Sequence, residues 1–159
     1  MKKANIAILL LCLIMSGCGS SSDGIYKGFD WNTTSSQIEA QFKDADKIDM
    51  GNYTQYIVKT DDGASEIYYF NSGDDCLDMM RRFYSVFDFD KTDPKEVYNQ
   101  LSSELSETYG RGQNNDGLMG PEVIWKTKNA VIVLLHDETI TDYTSYSITY
   151  CHPDQYAEE

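Results

Sequence analysis

Apolar residues recur along this chain in three rhythms. From Ile6 to Met15 every residue is apolar. Between Val97 and Tyr109 the apolar residues Val97, Leu101, Leu105 and Tyr109 stand four apart, which is the stripe of an amphipathic helix. Asp93 ahead of Pro94, with Glu96 following, supplies an N-cap, a first-turn proline and a capping box, and Gly110 suits the position just past the last turn. A helix is predicted over residues 94–109. From Tyr143 to Tyr150 the period falls to two: Tyr146, Ile148 and Tyr150 alternate with Ser145, Ser147 and Thr149, as in a strand with one buried face.

The remaining segments follow the same two periods less cleanly. Ile38 and Phe42 lie one turn apart, and Thr34 with Gln37, or Ser36 with Glu39, can close a capping box. A short helix is predicted from Ser35 to Lys43, ended by Asp44-Ala45-Asp46-Lys47. Tyr53 to Lys59 and Ser65 to Phe70 are predicted strands joined by the turn Thr60-Asp61-Asp62-Gly63. Arg81 to Phe89 is aromatic and β-branched, favouring a third strand. After the second helix, Arg111 to Gly120 reads as a glycine- and asparagine-rich loop. Glu122 to Thr127 alternates, and Ala130 to Leu135 is apolar on both sides, as a central strand would be.

Taken in order, the elements run helix, strand, strand, strand, then the same again. The predicted fold is α+β: two αβββ units, about residues 28–90 and 91–152, forming one mainly antiparallel sheet with helices packed on one face. Residues 153–159 read as a peripheral tail. Trp31-Asn32-Thr33, a short helix carrying Gln37-Ile38 and a three-strand meander resemble small bacterial lipoproteins of the outer-membrane-assembly type. The tandem arrangement, with a second helix ending in Tyr109-Gly110, resembles the beta-lactamase-inhibitor protein fold. The resemblance implies a binding role without catalysis and transfers no named interface.

The amino terminus adds an address. Lys2 and Lys3 precede the apolar run, the pattern of an export signal. The run covers only about half of a ~30 Å hydrocarbon core, too little to span it. Ser16-Gly17-Cys18 closes it and resembles the lipobox of bacterial lipoproteins. That resemblance implies cleavage after Gly17, a diacylglyceryl thioether on Cys18, and a chain exported and anchored to the bacterial cell membrane or outer membrane. Residues 1–17 are then the signal, and residues 18–27 carry the lipid and a small polar tether. Two acyl chains hold a protein at a bilayer where one does so only marginally.

Charge and cysteines narrow the picture. The chain carries a formal net charge of −13, and loss of Lys2 and Lys3 with the signal takes it to −15. Nucleic acid and anionic lipid headgroups are poor partners for that charge. Once Cys12 leaves and Cys18 is acylated, Cys76 and Cys151 remain. Export permits a 76–151 disulfide, and two buried thiols are the other reading.

No cofactor or metal motif is present: there is no glycine-rich phosphate loop, Gly-x-Ser-x-Gly, His-Glu-x-x-His or Cys-x-x-Cys. Asp88, Asp90 and Asp93 space three carboxylates, but Lys91 and the lack of a kinking glycine count against calcium. His136-Asp137 and Cys151-His152 are sequence neighbours, and neighbours on an extended chain point apart. The twelve tyrosines suit either half-buried strand positions or a recognition surface. If helices cover the side carrying Val123, Trp125, Tyr146 and Ile148, the other side presents Ile124, Lys126, Tyr143, Ser145 and Ser147 as a binding surface. The expectation is a lipid-anchored, non-catalytic domain that binds a protein or envelope component. An envelope hydrolase using His136 or His152, or a structural spacer, are the alternatives.

Overall fold

A computed structural model of the chain describes residues 25–84, 94–137 and 145–155. Helix α1 (Ser35–Gln41) is followed by strands β1 (Asp46–Asp49), β2 (Tyr53–Lys59), β3 (Ser65–Asn71) and β4 (Leu77–Tyr84). Helix α2 (Pro94–Tyr109) is followed by β5 (Gln113–Gly117), β6 (Gly120–Lys126), β7 (Val131–Asp137) and β8 (Ser145–Cys151), and a 3₁₀ turn spans Pro153–Gln155. All eight strands form one antiparallel sheet in the order β1-β2-β3-β4-β8-β7-β6-β5. Two four-strand meanders therefore meet at a β4–β8 seam, each with its first strand at an outer edge.

This corrects the expected class. The fold is mainly β, not α+β with helices packed on the sheet: 49% of the structure is strand and 22% helical. Among the described side chains, α1 buries only Ile38 and α2 only Val97 and Leu105. Each meander also holds four strands rather than three. The segment expected to end the first helix contributes to β1, and the segment expected to be a loop holds β5 and the start of β6. Both added strands are sheet edges, exposed at nearly every position, so neither needs an apolar alternation. Their short, polar sequences discourage pairing with another sheet. The third strand of the first half starts at Leu77, earlier than expected, with a register shift where Phe70 meets Leu77.

Strand alternation places Tyr56, Tyr68, Met80, Tyr84, Trp125, Ile132, Leu134, Tyr146, Ile148 and Tyr150 on one side, and all belong to the hydrophobic core. Ile38, Val97 and Leu105 from the helices join the same core, as do Ile25 and Phe29 from the chain ahead of α1. Gln37 Oε1 accepts the Thr34 N–H at 2.8 Å and starts α1. Gly110, at φ +83°, ends α2, and its carbonyl accepts the Trp125 indole N–H at 2.9 Å. That bond ties the helix exit to the sheet. Among the described residues no helix is long and apolar enough to cross a membrane.

Candidate functional site

The opposite face of the sheet carries no described helix, and the pairing register maps it row by row. One row crosses all eight strands: Asp46, Ile57, Ile67, Arg81, Thr149, Val133, Ile124 and Gln113. The neighbouring rows bring Phe83, Ser147 and Leu135 together on one side, and Tyr69, Met79, Cys151 and Val131 on the other. The centre is thus apolar and the margins polar. Ile124, Val131, Ser147 and Thr149 lie low and are buried, whereas Ile57, Ile67, Tyr69, Met79, Arg81, Phe83, Val133 and Leu135 are half-buried. Tyr53 and Tyr69 add an aromatic pair at one end, with ring centroids 6.0 Å apart.

Arg81 and Arg82, adjacent on β4, face opposite sides. On the core side Glu66 is fully buried and completely engaged. Lys27 Nζ donates to both its oxygens at 2.7 and 2.9 Å, Tyr26 Oη and Arg82 Nη1 donate to Oε1 at 2.8 Å each, and Tyr68 Oη donates to Oε2 at 2.9 Å. Arg82 also pairs with Asp62 and donates to Tyr26 Oη at 2.8 Å. Burial beside the Glu66 carboxylate holds the Tyr26 and Tyr68 hydroxyls well above the usual tyrosine value, because a second negative charge there would be neither solvated nor compensated. This cluster pins Tyr26 and Lys27 across the core side of the sheet. Lys27 sits at φ +51° beside Gly28 at φ +84°, the tight turn that brings its ammonium to Glu66.

On the open side Arg81 donates from Nε to Thr149 Oγ1 at 3.2 Å. Its Nη groups take part in no hydrogen bond or ion pair among the described residues. Tyr69, one row away, is pushed above the ordinary tyrosine value by burial, with the Arg81 charge opposing.

The residues expected to bind fall as follows. Ile124, Lys126, Ser145 and Ser147 all lie on the open face, Lys126 exposed, Ser145 half-buried, and Ile124 and Ser147 buried. Tyr143, Cys18, the carboxylates Asp88, Asp90 and Asp93, the signal and most of the tether lie outside the described residues. Cys76 and Cys151 are free, half-buried thiols. Cys151 pairs with Met79 on β4, and Cys76 lies just ahead of that strand, bridged to Thr34. Burial raises the Cys151 thiol above its usual value.

His136 lies on the core side, stacked on Tyr146 at 4.8 Å and near Tyr98 at 5.7 Å. His152 packs edge-on to Trp31 at 5.5 Å, and its Nδ1 accepts the Asp154 N–H at 3.2 Å. A hollow of about 270 Å³ brings Trp31, Asp74, Cys76 and His152 together. The Cys76 thiol there donates to the Asp74 carbonyl at 3.6 Å. Among the described residues no group of three or more His, Cys, Asp or Glu side chains is placed to hold a metal ion.

No protein-family model, curated protein or solved structure matches this chain. The open face and its central Arg81 therefore stand on geometry alone. Sequence reading passed over Arg81, Ile67 and Phe83 because it placed the recognition surface on the last three strands. The signal available was phase: Arg81 is out of step with Met80 and Tyr84, the core residues of its own strand.

Proposed function

We propose that this protein is a lipid-anchored, non-catalytic binding domain of the bacterial cell envelope, recognising a protein through its open sheet face. The observation that carries the reading is the half-buried apolar patch Ile57, Ile67, Phe83, Val133 and Leu135, central on a sheet whose other face is built into the core. Contiguous apolar surface rimmed by polar residues marks interaction sites. The signal pattern ending in Ser16-Gly17-Cys18 supplies the address. The chain enters at Ile25 on the core side, held there by Tyr26 and Lys27 on Glu66.

Two measurements test this. Mass spectrometry of the protein from its host should find a diacylglyceryl group on Cys18, and an unmodified thiol there removes the anchor. A photo-crosslinking residue in place of Phe83, on the open face, should give a discrete protein adduct in intact cells, whereas one in place of the exposed Gln100 on α2 should not. Adducts only from Gln100, or from neither position, refute the open face as the binding surface.

A further inference from the structure

We infer that the partner of the open face is a polypeptide that delivers a carboxylate side chain, set among apolar residues, to Arg81. The inference rests on the proposed binding role of that face and names the chemistry it selects. An arginine at the centre of an apolar sheet face is costly to cover with anything that leaves it unpaired. The flanking residues Ile67, Met79, Phe83 and Thr149 are all uncharged. Any partner that lies flat on the patch thus either supplies the missing anion or strips water from an uncompensated cation.

Arg82, one residue away, shows what this chain does with a guanidinium it means to bury: it surrounds it with Glu66, Asp62 and Tyr26. Among the described residues Arg81 has only the Thr149 hydroxyl, on Nε. That single bond fixes the guanidinium plane and leaves the Nη edge for bidentate pairing with a planar carboxylate. A polyanion is disfavoured by the net charge of −13, which repels it at long range. One isolated carboxylate on a mainly apolar surface feels little of that repulsion once salt screens it and gains the full local pair.

The dimensions favour a polypeptide over a small molecule. Six strands of seven or eight residues and two shorter edge strands, at about 4.8 Å spacing and ~3.3 Å per residue, give a face on the order of 800 Å². That matches one side of a standard protein interface, about 800 Å². A pocket for a small molecule would instead be concave and enclosed.

The test selects binders without knowing the natural partner. A displayed library of random peptides is enriched on the purified full chain in detergent. Enriched peptides should carry Asp or Glu flanked by apolar or aromatic residues. Replacing that acid by its amide, or Arg81→Met in the chain, should each weaken binding roughly tenfold or more. Arg81→Lys, which keeps the charge and loses the fork, should fall between, and Lys128→Met, in a turn off this face, should change nothing. Peptides that lose affinity with Phe83→Glu but ignore Arg81→Met overturn the carboxylate inference and leave the face intact. Peptides indifferent to both variants, or no enrichment at all, overturn the binding face as well.

Discussion

Two arginines one residue apart divide this molecule into a side that is finished and a side that is not. Arg82 points into the core face, where Glu66, Asp62 and Tyr26 surround it. Arg81 points out of the open face, where among the described residues the Thr149 hydroxyl alone engages it. The strand, the backbone geometry and the residue type are the same. What differs is whether the rest of the chain completes the electrostatics. Burying a charge is tolerable only when it is paired and hydrogen-bonded, so the core face carries its own counter-charges. The open face keeps its cation half-exposed until something else supplies them.

The most forceful way to break this contrast is to remove the central carboxylate. Glu66→Ala leaves Arg82, and the ammonium of Lys27, without their shared partner and exposes three hydroxyl and amine donors to an apolar site. The expected loss is about 3–5 kcal/mol of folding stability, measured as a shift in the urea midpoint. A loss below about 1 kcal/mol would mean that the cluster is a surface feature and that the two faces do not differ as argued. Because Tyr26 and Lys27 hang on the same carboxylate, the variant should also open the chain ahead of α1 to proteolysis.

Next in size is a steric test of the second meander. A Cβ on Gly112 would come 2.5 Å from Val123 Cγ1 and 2.7 Å from the Trp125 ring. Both side chains are buried in the core, and the Trp125 indole is already committed to the Gly110 carbonyl. Gly112→Ala should therefore cost about 1–3 kcal/mol by overpacking. An alanine at the exposed Asn114, two residues on, should cost nothing measurable.

A pH titration separates the faces without mutation. Tyr26, Tyr68 and Tyr150 are all held above the ordinary value of 10.0, chiefly by burial on the core side. A raised folded-state value means that the contribution is complete below pH 10. It is lost as pH rises toward the folded value, because the unfolded chain releases those protons first. Denaturant midpoints should begin a shallow fall near pH 9, where the unfolded Cys151 thiol ionises ahead of the folded one, and fall more steeply from about pH 10 upward as the tyrosines follow. In Tyr150→Phe the fall should be shallower. A midpoint unchanged at pH 11 would show that these hydroxyls are not buried as described.

How much of this was readable in advance depends on burial. The alternation of Tyr146, Ile148 and Tyr150 assigned the core side of β8, and the stripe from Val97 to Tyr109 bounded α2, because each buries one face and must carry a period. The strands β1 and β5 bury neither face, so Asp-Lys-Ile-Asp and Gln-Asn-Asn-Asp-Gly carry none, and both passed for turns and loops. That omission turned a mainly β sheet of eight strands into an expected α+β fold of six. The Glu66 cluster left a trace: Glu66 is in phase with Tyr68 and Phe70, and Arg82 with Met80 and Tyr84, so each strand puts one charge at a core position. Two opposite charges in core phase on consecutive strands signal a buried pair. The partners Tyr26 and Lys27, about forty residues earlier, are beyond any local pattern.

The smallest expected effect sharpens the contrast most. Arg81→Met removes one hydrogen bond to Thr149 and replaces an aliphatic stem with another of similar reach. Its stability change should stay within about 0.5 kcal/mol, as for a surface site without charge partners. If Arg81 instead braced the β4–β8 seam through Thr149, the loss would approach 1 kcal/mol or more, and Thr149→Val would reproduce it. A neutral Arg81→Met beside a costly Glu66→Ala would show that the fold has no need of the outward arginine. Only a residue with that profile is free to be spent on a partner, and a seam-bracing Arg81 would leave the open face without its distinguishing chemistry.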